Sequence, residues 1–323
     1  MKAIVYHEYG SPDVLALREV AEPVVTENAV LVRIRAASAN PYDWHFMRGM
    51  PYFMRAISGL RKPKDSRLGS DMAGEVVAVG KGVTRFRPGD AVYGFVAHGG
   101  FAESIAVAEE ALSPKPANLT FEQAAAVPLA ALTALQGLRD VGKIGPGQRV
   151  LIVGASGGVG TFAVQLARAF GAEVTGVCSA RNLALVRSLG AHHVIDYTRE
   201  DFTRGQTKYD LIFHLAGTHS PAACRRALTP KGRLVLSSGD AKGHWLGPLP
   251  RVFQAAALSP FVSQELAQLD VKRSHEDLAF LTELIEAGKL TPVIDRTYPL
   301  RETAEAIRYL ETGRARGKVV IAV

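Results

Sequence analysis

The chain has 323 residues, 47% of them hydrophobic and 21% charged, which supplies apolar mass for two ordinary globular cores and predicts two domains rather than one. No apolar run nears the roughly 20 residues a membrane helix needs, the opening Met1-Lys2-Ala3-Ile4-Val5-Tyr6 alternates like a strand rather than a signal peptide, and two cysteines, Cys178 and Cys224, make no disulfide framework and fit a reducing, cytoplasmic setting. The formal charge of +7 comes without basic residues interleaved with aromatics and without a basic recognition helix, so no nucleic-acid partner is expected; the densest cluster, Arg55 to Arg67, falls in a Pro/Gly-containing loop as a solvated face, and the excess charge can also steer a polyanionic cofactor inward.

The first third reads as β-rich. Ala29 to Ala36, Gly74 to Gly80, Asp90 to Phe95 and Phe101 to Val107 carry strand patterns, and Arg87-Pro88-Gly89-Asp90 is a turn into the third. Glycines at 80, 82, 89, 94, 99 and 100 space these strands like a compact, partly open barrel. Pro114, Pro116 and Asn118 mark a linker. Thr120-Phe121-Glu122-Gln123 is a capping box, and helical character follows as far as Arg139. From Arg149 strands at 149–153, 173–178, 192–195, 209–215 and 232–237 alternate with helices at 159–170, 181–189 and 220–228, the pattern of a doubly wound parallel sheet. Residues 240–262 read as loop plus short helix, and His275 to Ala287 as an amphipathic helix. Strands at 291–298 and 318–323 return to the first domain, because the parallel sheet is complete at 237. The expected organisation is α/β: residues 1–120, a cofactor domain at 121–262, and a return at 263–323.

One stretch carries most of the functional information. Residues 149–160 run from an apolar strand into Gly154-Ala155-Ser156-Gly157-Gly158-Val159-Gly160, then into a helix that Gly171 stops. Strand, glycine turn, helix and strand within about 30 residues is the context of a dinucleotide-binding fingerprint. Gly157 lets backbone approach a pyrophosphate, Gly160 lets the helix pack on the strand, and the amides from Ser156 to Val159 that open the helix point at an anion. The turn departs from G-x-G-x-x-G at its first glycine, where Ala155 stands. A structural turn in another α/β protein is the alternative.

The second strand ends in Cys178-Ser179-Ala180-Arg181-Asn182 with no acid to bond a ribose 2′-hydroxyl. Ser179 offers a hydroxyl and Arg181 a planar charged fork suited to a 2′-phosphate, so NADPH is expected over NADH. The alternative for Arg181 is a solvated residue opening the next helix.

Four further segments carry a family resemblance: Ala37-Ser38-Ala39-Asn40-Pro41-Tyr42-Asp43, Gly69-Ser70-Asp71-Met72-Ala73-Gly74-Glu75-Val76, Val127-Pro128-Leu129-Ala130-Ala131-Leu132-Thr133-Ala134 and Arg316-Gly317-Lys318-Val319-Val320. With the fingerprint they span nearly the whole chain, and the chain resembles the medium-chain dehydrogenase/reductase superfamily in its zinc-free, quinone oxidoreductase-like branch. The resemblance implies a GroES-like catalytic domain around an inserted Rossmann domain, and a possible homodimer. It places Asn40 and Asp43 at the nicotinamide end, Thr133 near the nicotinamide ribose, Tyr197 beside the adenine-phosphate side, and Lys318 reaching the cofactor. Ala216-Gly217 and Ser237-Ser238 lie at strand ends where an open sheet binds ligands. Each of these has a plain alternative: helix or loop chemistry, and for Asp43 a cap that only orders its loop.

In zinc-dependent relatives a cysteine and a histidine occupy positions that look like Asp43 and Ser70 here, so no zinc is expected. A metal-free site favours hydride transfer to a carbon already made electron-poor by conjugation, with a hydrogen-bond donor for the oxygen that becomes anionic. Candidate donors are His45, Tyr42 and Tyr52; the alternative for His45 is a structural histidine beside Trp44 and Phe46. The expected activity is NADPH-dependent reduction of a small quinone or activated α,β-unsaturated carbonyl. An enoyl-thioester reductase, with the basic 55–67 loop meeting carrier phosphates, is the first alternative. A non-catalytic NADPH-binding partner or scaffold protein is the second.

Overall fold

The computed structural model describes residues 1–217, 219–237, 245, 247 and 249–323. Two compact units emerge, Met1–Leu132 with Lys272–Val323, and Thr133–Val271. The middle unit thus starts and ends later than the 121–262 expected.

The chain opens with β1 (Lys2–Val5), β2 (Ala16–Glu19), β3 (Ala29–Ala39), α1 (Pro41–Arg48), α2 (Arg55–Ser58), β4 (Asp71–Val79), β5 (Ala91–Phe95), β6 (Ser104–Ala108) and β7 (Leu112–Pro114). Helices α3 (Phe121–Ala125) and α4 (Pro128–Gln136) follow. The capping box forms as expected: Thr120 Oγ1 accepts from the Gln123 amide at 3.2 Å, and the Thr120 amide donates to Gln123 Oε1 at 3.0 Å. After the second unit the chain returns through α9 (His275–Glu286), β14 (Ile294–Pro299), α10 (Thr303–Glu311) and β15 (Lys318–Ala322).

In the first unit β14, β15, β3, β4, β5 and β7 lie side by side, with β6 paired to β3. Strand β3 runs three residues past its expected end. Alternation stops at Ala36, but Ala36 to Ala39 pair with Ala322 to Val319 of β15, a contact between the two ends of the chain. Strand β4 starts three residues early for the same reason, since Asp71 pairs with both Ser38 and Phe95. One core gathers Val30, Val32, Ile34, Met72, Val92 and Leu112. A second joins Ile4, Tyr6 and Met47 to Ile307, Val319 and Ile321, which fixes the returning C-terminus to the N-terminal strands.

The second unit contains β8 (Arg149–Val153), α5 (Gly158–Ala169), β9 (Glu173–Cys178), α6 (Leu183–Ser188), β10 (His193–Asp196), β11 (Tyr209–His214), α7 (Pro221–Arg225), β12 (Leu228–Leu236), α8 (Leu249–Leu258) and β13 (Glu265–Gln268). Its sheet has the order β10-β9-β8-β11-β12-β13, parallel throughout. This is the Rossmann order, with the first strand central and the chain reversing direction between β8 and β11. The expectation that the sheet ends at 237 is corrected, because β13 adds a sixth strand beside β12. Its four residues, Glu-Leu-Ala-Gln, hold two apolar side chains and sit at the edge, so they carry little local pattern. No helix among the described residues is long and apolar enough to cross a membrane.

Candidate functional site

The glycine turn of the second unit is built by backbone bonds. Gly154, at φ +90°, and Ala155 both donate to the Val177 carbonyl, at 3.1 and 3.0 Å, which ties the turn to β9. The Gly157 amide donates to Gly154 O at 3.1 Å, so it is spent within the turn. Helix α5 then starts at Gly158, and its first-turn amides, Gly158 and Val159 among them, have no intrahelical acceptor. A Cβ on Gly160 would lie 2.1 Å from Gly154 O, so only glycine lets the helix sit this close. A Cβ on Gly157 would meet nothing nearer than Gly154 O at 3.5 Å. The turn therefore presents a side-chain-free face beside unpaired helix amides, which fits a pyrophosphate.

Asn182 links the parts. It is 4% exposed, and its Nδ2 donates to Ser156 Oγ at 2.8 Å and to Ser179 Oγ at 3.3 Å. Its Oδ1 is buried with no partner among the described residues. Ser156 and Ser179, 23 positions apart in the sequence numbering, are thus held in one corner with an orphaned acceptor between them. Sequence reasoning assigned Asn182 nothing; an asparagine at a strand-to-helix corner was the available signal. Arg181 is exposed at the short 3₁₀ turn Ala180–Asn182 that follows Ser179.

An acid does approach this corner, from the neighbouring strand. Asp196 pairs in register with Cys178, and its carboxylate accepts from the Thr198 amide and hydroxyl at 3.0 and 2.8 Å. Those bonds, with Arg199 at 3.8 Å, hold its pKa down and occupy its charge. Tyr197 follows it, 59% exposed, with its amide on Cys178 O. Ala216, after β11, lies against the turn: a Cβ on Gly154 would be 2.8 Å from its methyl. The Ser237 amide donates to His214 O at 3.1 Å. Ser238 lies outside the described residues. Thr133 is buried in α4.

The first unit holds a buried polar cluster at the start of α1. Asp43 is fully buried; it accepts from the Asn40 amide at 2.8 Å, the Gly69 amide at 3.2 Å and Ser70 Oγ at 3.3 Å. Asn40 donates to Ser70 Oγ and Asp71 Oδ2, both at 2.9 Å, and accepts from Lys318 Nζ. Asp71, assigned nothing from sequence, is the hub: it also accepts from Ser38 Oγ at 3.1 Å and from the Leu129 amide, at the start of α4, at 2.9 Å. Lys318 Nζ lies 3.4 Å from Asp71 Oδ2. Desolvation pushes both acids up, Asp43 to about 7, while Lys318 opposes it; the lysine itself is pushed down by burial. Asn40, Asp43 and Lys318 are thus brought together, and their polar atoms bond to one another and to the surrounding loop. Asp43 here is the cap that orders that loop.

The proposed proton donors separate. His45 Nδ1 donates to Met50 O at 2.9 Å, and its ring stacks on Trp44 with centroids 3.8 Å apart. A carbonyl only accepts, so the proton of the neutral ring is on Nδ1, and Nε2 carries a lone pair. A neutral His45 therefore cannot donate from Nε2 to an oxyanion. Tyr42 packs against Phe46 at 4.7 Å, His98 at 5.7 Å and Phe95 at 6.0 Å, and its hydroxyl makes no hydrogen bond among the described residues.

Comparison with known proteins agrees with this architecture. Residues 26–117 match the model of an alcohol dehydrogenase GroES-like domain, and residues 189–321 that of a zinc-binding dehydrogenase. The chain is 37% identical to 2-methylene-furan-3-one reductase of Solanum lycopersicum over 99% of its own length and 79% of the relative's. The chain belongs to the medium-chain dehydrogenase/reductase superfamily, in its quinone oxidoreductase-like branch. A second member, the chloroplastic NADPH-dependent alkenal/one oxidoreductase of Arabidopsis thaliana, is 35% identical over 99% of this chain and 79% of that one. The quinone oxidoreductase of Coxiella burnetii superposes with a TM-score of 0.88 at 31% identity, covering 100% of this chain and 99% of the other.

Zinc is a cofactor of part of this superfamily, and the donor set here does not suit it. The positions that match its ligands hold Asp43, whose oxygens are committed to Asn40, Gly69 and Ser70, and Ser70 itself. Both cysteines are buried in the second unit, with thiols pushed by burial to about 11 and about 12. Among the described residues no group of three or more His, Cys, Asp or Glu side chains could hold a metal.

Proposed function

We propose that this protein reduces quinones or activated α,β-unsaturated carbonyls with NADPH and without zinc. The observation that carries it is the bare face of Gly157 beside the first-turn amides of α5, with Ser179 and exposed Arg181 at the next strand end. Gly158 and Val159 amides would hold the pyrophosphate, and Arg181 the 2′-phosphate. When bound, NADPH supplies a hydride. The protein's own task is then to hold the acceptor, exclude water and stabilise an oxygen that gains charge. Tyr42 is better placed than His45 to donate there, since the His45 proton is given to Met50. The names of the tomato and Arabidopsis relatives, an enone-type reductase and an NADPH-dependent alkenal/one oxidoreductase, support the same chemistry.

A cytoplasmic location and a homodimer belong to this proposal. The two buried free thiols favour a reducing compartment, although the Arabidopsis relative is named as chloroplastic; cell fractionation and light scattering check them. One observation favours the second reading, an enoyl-thioester reductase: an open groove of about 970 Å³ is lined by Arg61, Lys62 and Lys64, a match for carrier phosphates. NADPH oxidation measured with a panel of quinones, enones and enoyl thioesters separates these. Turnover of quinones or enones with no zinc dependence supports the proposal. Tight NADPH binding with no turnover on any acceptor overturns it in favour of a binding role.

A further inference from the structure

We propose that Tyr42, Phe46, Phe95 and His98, with Arg273 beside them, form a binding wall for a planar conjugated carbonyl, and that Arg273 holds the oxygen that becomes anionic. The inference rests on the reductase reading and narrows its substrate class.

The wall is assembled from distant parts of one unit. Helix α1 supplies Tyr42 and Phe46, β5 supplies Phe95, and the loop after β5 supplies His98. Four ring pairs bind them: Tyr42 meets Phe46 at 4.7 Å and His98 at 5.7 Å, Phe95 meets Tyr42 edge-on at 6.0 Å, and His98 meets Phe46 edge-on at 4.7 Å. The loop is pinned by backbone bonds from Val96 to Ser70 O, Gly99 to Leu68 O and Gly100 to Gly69 O, at 2.8 to 3.0 Å. Within it Ala97 adopts φ +70°, a conformation that L-residues rarely take. Such strain persists where the surroundings over-determine it, and it often marks a ligand site. It aims His98 at the rings, where His98 Nδ1 is buried without a partner among the described residues.

Arg273 supplies the charge. Its guanidinium lies 5.4 Å from the centre of the Phe95 ring, and its field reaches both Tyr42 and His98. No hydrogen bond or ion pair engages it among the described residues. Two acids of the same unit are engaged elsewhere: Asp65 by Arg67 at 2.8 Å, and Glu276 by Ser274 at 2.8 Å and His275 at 3.4 Å. An arginine set over an aromatic wall, with no carboxylate partner among the described residues, suits an anionic oxygen on a planar ligand. An aliphatic ketone would not use the rings, and a neutral ligand would not use the charge. An enolate or hydroquinone anion uses both.

In the step implied, a hydride adds to the carbon β to the carbonyl and NADPH becomes NADP⁺. The C=C electron pair shifts, the carbonyl oxygen takes the negative charge beside Arg273, and a proton from water completes the product. The test compares wild type, Arg273→Met and Arg273→Lys. Arg273 is exposed, so these variants are expected to fold. The probe for binding is 4-nitrophenolate, a planar ring with an anionic oxygen, titrated into NADP⁺-saturated protein. Arg273→Met should weaken it at least tenfold, Arg273→Lys should retain part of it, and NADPH affinity should not change. In turnover, kcat/KM for a naphthoquinone should fall tenfold or more in Arg273→Met. Unchanged nitrophenolate binding in Arg273→Met overturns the inference. Arginine-dependent nitrophenolate binding in a protein that reduces no carbonyl would instead sustain the wall and overturn the reductase reading.

Discussion

The methyl group of Ala155 faces Gly176 across the β8–β9 corner: a Cβ on Gly176 would lie 3.1 Å from it and 2.4 Å from Val186 Cγ1. Ala155 can thus replace the first glycine of the fingerprint because its own side chain turns into the core, where the neighbouring strand has none. Gly176→Ala should therefore destabilise the protein by about 1–3 kcal/mol, the usual cost of overpacking a filled core. Adding Val186→Ala should recover part of the loss by removing the worse contact. Thermal unfolding of the two variants checks this, and an unchanged midpoint in Gly176→Ala would show that the corner has slack.

Gly157 and Gly160 should fail differently. Gly160→Ala drives a Cβ to within 2.1 Å of a backbone oxygen, so the helix must lift from the strand, and both stability and cofactor binding should fall. Gly157 sits at φ −82°, which any residue adopts, and has open space around its Cβ position. Gly157→Val should unfold within about 1 kcal/mol of wild type yet lose most NADPH affinity, because the side chain fills the approach face. Calorimetric titration beside thermal unfolding separates the effects. Tight NADPH binding by Gly157→Val would place the pyrophosphate elsewhere.

What the sequence revealed follows the range of the interactions. Strands β8 and β9 were legible to the residue, because a bounded apolar run is a local signal. Strand β13 was not, since its pairing with β12 supplies what its own four residues lack. Asp71 was quoted within a motif and given no role, because its partners Leu129 and Lys318 stand 58 and 247 positions away. His98 and Arg273 were missed for the same reason: their aromatic neighbours come together only in the fold. Asn40, Asp43 and Lys318 were legible as a set only through family resemblance, which said nothing of how their polar atoms bond.

Arg181 tests the cofactor preference. A charge-assisted hydrogen bond contributes about 1.5–3 kcal/mol, so Arg181→Ala should weaken NADPH by about tenfold or more. NADH should change by less than about twofold, since it carries no 2′-phosphate for Arg181 to contact. Equal loss for both cofactors would refute the assignment and return Arg181 to a solvated helix start.

Asp43 gives a pH signature that no exposed acid can imitate. Burial raises its pKa to about 7, against about 3.9 for an unfolded aspartate. Below pH 4 it is protonated in both states, and its contribution to stability is fully present. Between pH 4 and 7 the unfolded chain releases the proton that the folded chain keeps. Folding stability then falls as pH rises, by at most about 1.4 kcal/mol per unit, and the slope ends above pH 7. Asp43→Asn removes that slope. It also costs a bond, because one carboxylate oxygen that accepts from Asn40 or Gly69 becomes an amide that cannot. The variant should therefore be the less stable protein at pH 5, with the gap closing by about 2 kcal/mol at pH 7.5. Urea unfolding of both proteins at the two pH values measures it, and Asp71 and Lys318 cancel in the difference to first order. A gap that stays constant would mean that the carboxyl keeps an ordinary pKa, and that its three donors outweigh its burial.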